Sequence, residues 1–391
     1  MFSVPSAHIV AAARTPIAIA HKGSLRDVDA HALTRHVLSA LIERSAIPPD
    51  LVEELLWAEV YQGGGVIGRY SALDAGLFSI PGTALNRHCA SSLAAIQLAA
   101  AQIASGMADV AIAGGAESVS NRPTLSRRQP GTELKVDWYS PTHPSSPEAP
   151  DRDMSITVGW NTARQHGLTR EGMDQWAFRS HQRAAAARGR GDFVSEIVPV
   201  STSSDGSPVV FAQDETVRAD TSVERLAQLV PLHPEIEDFS ITAGNSCGIN
   251  DGAAAVVIAS DEALERYGLN PLATLDSWAS VGVAPERTGT APVIAIERVA
   301  TKAGWNIAGL DLFEINEAFA AVPMVVSRLL CLDEDRVNPY GSGCSLGHPT
   351  AATGARMVCS MVHELQRRGG GRAVVAMCAG GGMGSAIGFH G

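Results

Sequence analysis

The chain is short of aromatic residues, of charge and of cysteine, and each shortage narrows what it can be. Aromatics make up 5% and charged residues 18% of 391 positions, against 45% hydrophobic ones. So apolar a chain has material for a large buried core and is not globally disordered. With few rings and 38 glycines, that core must come from small side chains, which suits helices packed tightly on sheets. Positive charge is outweighed: the formal net charge is −11. This argues against a general binder of nucleic acid or of anionic membranes, while a local basic patch for a phosphorylated ligand stays compatible. The six cysteines, at 89, 247, 331, 344, 359 and 378, include no Cys-x-x-Cys pair. A zinc ribbon, a thioredoxin-type motif and a disulfide scaffold are thereby disfavoured, no metal site is expected, and reduced thiols in a cytoplasm are the simplest reading. No apolar run reaches the ~18 residues of a membrane span. The first apolar stretch lacks a basic segment before it and is interrupted by Arg14-Thr15-Pro16, so a first strand is expected there rather than a signal peptide.

What is present is an alternation of apolar runs and glycine-rich turns. Residues 8–13 read as a buried strand. Residues 30–45 have helical spacing, with Leu33, Val37, Leu41 and Ile42 on one face and Pro48-Pro49 beyond. A strand is expected at 55–60, an almost wholly apolar helix at 93–105, and a strand at 110–113 that ends in Gly114-Gly115. From about 119 to 245 the pattern breaks up, with prolines at 123, 130, 141, 144, 147 and 150. A helix at 170–187 and strand-like runs at 196–200 and 208–211 stand inside this stretch, which reads as an insertion laid over a core. Alternation resumes at 252–259. A helix at 350–367, three glycines, a strand at 373–377 and three more glycines then echo the earlier helix-glycine-strand-glycine series. The echo predicts two similar α/β halves about a pseudo-two-fold axis, which brings the two helix starts together.

Three short motifs put a thiol or an imidazole beside glycines or a helix start. Cys89 stands in Asn86-Arg87-His88-Cys89-Ala90-Ser91-Ser92, just before the apolar helix. A thiolate there gains from the helix dipole and free backbone N–H groups; an inert buried cysteine fits the position equally. His348, in Gly347-His348-Pro349, precedes the second helix, where glycine and proline hold an imidazole rigidly; a structural histidine is the plain alternative. Cys378 ends a strand and opens Gly380-Gly381-Gly382, where backbone N–H groups can face an oxyanion. Asn316-Glu317-Ala318-Phe319 follows the strand-like run 310–315, and either orients a water or histidine or simply caps a helix.

Together with Ala11-Ala12-Ala13-Arg14-Thr15-Pro16, Gly114-Gly115-Ala116-Glu117-Ser118, Phe193-x-x-Glu196, Thr242-Ala243-Gly244-Asn245 and Asn250-Asp251-Gly252, these motifs closely resemble the thiolase family of acyl-CoA:CoA C-acyltransferases, over essentially the whole chain. The resemblance implies an α/β fold of two βαβαβαββ halves in a five-layered α-β-α-β-α core. Residues 1–118 and 249–268 would form the first half, 119–248 an inserted loop domain that binds acyl-CoA, and 269–391 the second half. It also implies roles. Cys89 carries the acyl group, His348 activates it, and Cys378 moves the proton at the α-carbon and at leaving coenzyme A. Asn316 holds a water that faces one thioester oxygen with His348, while the N–H groups of Cys89 and Gly380 face the other. Met154, Ala243, Ser246, Cys247, Ala318 and Phe319 would line the path of coenzyme A and the acyl group. Coenzyme A is then a substrate, no cofactor is needed, and a cytoplasmic homodimer or homotetramer in fatty acid metabolism, including β-oxidation, is implied.

The chain departs from the family pattern in places. Ser92 replaces a usual glycine and is expected to narrow the space beside Cys89. Cys247 replaces a common serine, and Asp153 stands where many members have histidine. Tyr340-Gly341-Ser342-Gly343 replaces Asn-Gly-Gly-Ala. Arg127, Arg128, Arg183, Arg188 and Arg218 are candidates for the phosphates of coenzyme A. A ketoacyl-synthase-type condensing enzyme is the near alternative, but such enzymes pair the cysteine with two histidines, and here the second base position is Cys378. A non-catalytic acyl-CoA-binding protein is the alternative of a different class.

Overall fold

The structure, a computed structural model, describes residues 6–204 and 207–391. The first half runs β1 (Ala7–Arg14), β2 (Ala18–Ile19), α1 (Ala30–Ser45), β3 (Glu54–Ala58), α2 (Ile67–Asp74), β4 (Thr83–Leu85), α3 (Ser91–Ala104) and β5 (Val110–Glu117). A long excursion follows. It carries two hairpins, β6 (Ser126–Arg128) with β7 (Lys135–Asp137) and β8 (Val200–Ser204) with β9 (Ser207–Phe211). It also carries a π-helical turn at Ser155–Trp160 and helices α4 (Asn161–Gln165), α5 (Arg170–Arg190) and α6 (Val223–Ala227). Strand β10 (Asn250–Ser260) and helix α7 (Asp261–Tyr267) return to the core. The second half runs β11 (Ala273–Gly282), α8 (Ala291–Ala303), β12 (Leu312–Ile315), α9 (Ala321–Leu329), α10 (Gly343–Leu346), α11 (Thr353–Arg368), β13 (Arg372–Ala379) and β14 (Met383–His390).

Local chemistry sets the ends of these elements. The Asp29 carboxylate accepts the Ala32 N–H at 2.8 Å and starts α1. Leu33, Val37 and Leu41 are buried along one side of that helix, with Ile42 half-buried at the edge. Helix α11 ends at Gly369, whose φ of 77° is the left-handed closure that glycine allows. Gly114 and Gly115, expected to end a strand, instead lie inside β5 and pair with Ala255 and Ala254 of β10. They are glycines for want of room: a Cβ on Gly115 would stand 2.3 Å from the Ala351 carbonyl oxygen.

The strands run β4-β3-β5-β10-β1 in the first half and β11-β14-β13-β12 in the second, joined where residues 7–9 pair antiparallel with 273–275. The halves repeat each other. Val337 bridges Phe313 of β12 in parallel, as β4 lies on β3 in the first half. The first strand of each half also carries a bulge at the same place, between Ile9 and Ala11 and between Leu275 and Ser277. Helices α3 and α11 pack on each other and on strands of both half-sheets, while α1 with α2 covers one outer face and α8 the other. The result is the five-layered α-β-α-β-α stack. Its central layer is thin because Ala94, Ala95, Ala99 and Ala100 of α3 are fully buried. Gly354 of α11 also leaves no room for a Cβ, which would sit 2.6 Å from the Leu93 nitrogen.

The excursion is locked to the core by buried charge. Arg14 of β1 reaches Glu196 at 2.7 Å and Asp214 at 2.7 and 2.9 Å, with all three residues buried. Removing one partner of such a set costs about 3–5 kcal/mol, since it strands the other charges. No helix among the described residues is long and apolar enough to cross a membrane.

Candidate active site

The turn before α3 is held by its own side chains. Asn86 accepts the His88 N–H at 2.8 Å, and the Ser91 hydroxyl donates to the His88 carbonyl at 2.6 Å while accepting the Arg87 N–H at 2.7 Å. His88 takes a φ of 48° to make this turn. Cys89 emerges half-buried in a cleft of about 340 Å³ that Gly380, Met154 and Thr350 also line. Burial pushes its thiol up from the usual cysteine value, with the nearby backbone N–H groups of Gly380 and Cys89 itself acting the other way. The helix start therefore does not by itself yield a thiolate, and a base must take the proton.

His348 is the residue expected to be that base. It precedes α11 on Gly347, whose φ is 92° and whose Cβ would collide with Asn250. The Asn250 carboxamide oxygen accepts the His348 N–H at 2.9 Å. The imidazole Nδ1 lies 2.6 Å from the Thr353 hydroxyl, which donates its one proton to the Pro349 carbonyl at 2.8 Å. Thr353 can only accept from the ring, so the proton sits on Nδ1 and Nε2 carries the lone pair. Nε2 has no hydrogen-bond partner among the described residues. Burial, with the nearby charge of Arg356, lowers the imidazole to about 4. It is thus a neutral, oriented base at any ordinary pH.

Asn316 and Glu317 divide their tasks. Asn316 is fully buried, and neither atom of its carboxamide has a partner among the described residues, although burial without hydrogen bonds is costly. Glu317 is saturated by Trp176 at 2.9 Å, Ser180 at 2.6 Å, Asn338 at 2.9 Å and the Cys344 N–H at 3.2 Å. It braces this region structurally. The pair does not cap a helix, as α9 begins only at Ala321.

Cys378 is buried at the end of β13, and burial, with Cys89 and Cys247 nearby, pushes its thiol up. The turn beyond it is possible because Gly381 and Gly382 take φ values of 88° and 75°. Side chains of the excursion close over this turn: a Cβ on Gly380 would touch Thr142 at 3.1 Å and the Met154 sulfur at 3.4 Å. Burial pushes Cys247 up to about 12, with Cys89 adding to the effect. Cys89, Cys247 and Cys378 therefore lie near one another.

Of the other expected contacts, Ala243 and Ser246 line a second cleft of about 200 Å³, together with Lys22, Glu215 and Arg218. The Cys247 N–H donates to the Ala318 carbonyl at 3.0 Å, and Ser246 bridges Phe319. Gly159 of the π-helical turn packs on the Phe319 ring. Of the five arginines expected near phosphates, Arg218 alone lines this cleft. Arg183 is bound to Asp335 and the Val337 carbonyl, Arg188 lines a different hollow beside Phe193, and Arg127 and Arg128 stand exposed on β6.

Two departures acquire physical reasons. The Ser92 hydroxyl accepts the Ala355 N–H at 3.0 Å. It is directed at α11 and joins the central helices, rather than narrowing the space at Cys89 as expected. Asp153 accepts from the Ser155 N–H at 3.0 Å, the Ser155 hydroxyl at 2.6 Å and the Ile156 N–H at 3.3 Å, and it pairs with His233 at 2.8 Å. It anchors the π-helical turn next to Met154. Sequence reasoning gave no role to Asn250, Thr353 or Glu117. Glu117 is fully buried, accepts N–H groups from Tyr61 and Ala351 at 3.2 Å each, and is pushed up to about 8 by burial. The motifs around Asn250 and Glu117 were the available signal, but a carboxamide or carboxylate in sequence does not show what it holds.

Two neighbouring thiols and an oriented, buried imidazole on one duplicated α/β core suit acyl transfer. Comparison with known proteins agrees. The family profile "Thiolase, N-terminal domain" matches residues 7–262, and "Thiolase, C-terminal domain" matches residues 269–390. The chain is 39% identical to an acetyl-CoA acetyltransferase of Chromobacterium violaceum, over 97% of this chain and 98% of that one. It is 41% identical to a beta-ketoadipyl-CoA thiolase of Acinetobacter baylyi, with the same coverage. The crystal structure of the Bacillus anthracis acetyl-CoA acetyltransferase superposes with a TM-score of 0.90 at 35% identity, over the full length of both chains. The chain belongs to the thiolase family, and is an acyltransferase.

Proposed function

We propose that this chain cleaves and forms 3-ketoacyl-CoA through an acyl group carried on Cys89. The observation that carries the assignment of roles is the cleft that Cys89 and Gly380 line together, because it joins the nucleophile of the first half to the Cys378 loop of the second. In cleavage, His348 Nε2 takes the Cys89 proton as sulfur attacks the ketone carbon of the substrate. The N–H groups of Cys89 and Gly380 face the developing oxyanion. The carbon–carbon bond breaks, and the Cys378 thiol gives its proton to the departing acetyl-CoA carbon. In the second step the Cys378 thiolate takes the proton of coenzyme A, whose sulfur attacks the acyl-cysteine. Cys89 leaves and recovers its proton from His348, so every proton is returned. Asn316, with two open polar atoms, suits the holding of a water beside the thioester oxygen.

Ala243, Ser246, Cys247, Ala318, Phe319 and Met154 are proposed to guide coenzyme A, with residues 119–248 as the acyl-CoA-binding unit between halves 1–118 with 249–268 and 269–391. Lys22 and Arg218 at the second cleft support phosphate binding there. A cytoplasmic homo-oligomer completes the proposal. Exposed Val66, Tyr70, Leu73 and Phe78, next to the edge strand β4, support a subunit contact. Acetoacetyl-CoA mixed with coenzyme A and the protein should lose its enolate absorbance, and Cys89→Ala should abolish the loss. No turnover across a panel of 3-ketoacyl chain lengths would overturn the proposal.

A further inference from the structure

We propose that the cleft beside Cys89 accepts an acyl chain ending in a carboxylate, which Arg122 binds, so that ω-carboxylated 3-oxoacyl-CoA thioesters are the preferred substrates. This rests on the thiolase reading above. The cleft holding Cys89 and Met154 shares no lining residue with the one lined by Ala243 and Ser246, so space for an acyl chain at Cys89 extends beyond the second cleft. Val60, Leu125 and Trp138 give the acyl cleft apolar walls for methylene groups, and no acidic residue lines it.

Arg122 lines this cleft and is exposed to solvent. Its guanidinium carbon lies 6.0 Å from the Tyr61 ring centroid and 5.4 Å from that of Tyr139. Arg152 lies 5.4 Å from the same Tyr139 centroid. Among the described residues, neither guanidinium has a carboxylate within the 4.0 Å of an ion pair, whereas Arg128 and Arg183 are each paired with one. The rings hold the forks in place while leaving their N–H donors open. An unpaired guanidinium lining the cleft, with a second across the Tyr139 ring, in a chain with a net charge of −11, makes a local site for a planar anion. The buried carboxyl behind Cys89 does not oppose it, since Glu117 at about 8 is mostly uncharged at neutral pH. A carboxylate at this exposed guanidinium also keeps part of its hydration, so its desolvation cost is small.

The test compares kcat/KM for two six-carbon substrates, 3-oxoadipyl-CoA and the uncharged 3-oxohexanoyl-CoA, with acetoacetyl-CoA as a reference. The wild-type protein should favour the carboxylated chain by about tenfold or more, the size of one charge-assisted contact. Arg122→Met should collapse that ratio, Arg122→Lys should keep part of it, and adding Arg152→Met should lower it further. A wild-type ratio near one, or a ratio unchanged in both Met variants, would overturn the proposal. So would an equal rise in KM for every thioester, which would assign Arg122 to the phosphates of coenzyme A. If the wild type turned over none of the three substrates, the thiolase reading itself would fall, and this proposal with it.

Discussion

The imidazole of His348 is useful because Thr353 has only one proton to give. Its hydroxyl spends that proton on Pro349, so the ring must donate through Nδ1 and keep Nε2 basic. Thr353→Val should free the ring and slow acylation by roughly tenfold or more, the low end of what a positioned base supplies, as read from pre-steady-state release of coenzyme A from acetyl-CoA. An unchanged burst rate would exclude this control of the tautomer. The same burial gives a pH signature. The folded imidazole titrates at about 4, against 6.5 for an unperturbed one. Between these values the unfolded chain binds a proton that the folded chain does not, so stability falls as pH drops from 6.5 toward 4. The slope is at most ~1.4 kcal/mol per pH unit from this residue. Thermal unfolding of His348→Asn should show a shallower acid limb than the wild type. Cys89, His348 and Cys378 were legible in the sequence because glycine, proline and helix starts flank them. Thr353 and Asn250 were not, because their importance lies in which atom each holds.

At the scale of elements, the π-helical turn at Ser155–Trp160 depends on Asp153. Asp153→Ala removes three acceptor contacts and the ion pair to His233. It should cost about 1 kcal/mol, as loss of a helix-capping acid does. KM for CoA thioesters should rise as well, because Met154 and Gly159 sit on this turn; unchanged KM and melting temperature would refute the anchoring role. The sequence marked Asp153 as a departure, but its partner His233 is remote in the chain and the contact was invisible. Helix α1 was readable to the residue because its period and the following prolines agree. Strand β5 was cut short at Gly114-Gly115, since glycines that usually end strands are needed here for the close approach of Ala255 and Ala351.

The whole molecule is a duplication closed around α3 and α11, and this layer brings Cys89 to one cleft with Thr350, two residues beyond His348. Gly354→Leu would force a side chain into the Leu93 backbone. Overpacking of this kind costs about 1–3 kcal/mol, so the melting temperature should fall and acylation of Cys89 should weaken with it; a variant as stable and active as the wild type would contradict the packing described. The duplication was legible as a repeated helix-glycine-strand-glycine series. Its symmetry in detail was not, because the second half has only the Val337 bridge where the first has β4. The division of labour between the two halves, with the acyl group on Cys89 and the proton on Cys378, is tested most directly by one experiment. Cys378→Ala protein is incubated with acetyl-CoA, the modified residue is located by peptide mass spectrometry, and acetoacetyl-CoA formation is followed in the same sample. The expected result is acetylated Cys89 with no carbon–carbon bond formation, and acetylation elsewhere or undiminished acetoacetyl-CoA would contradict it.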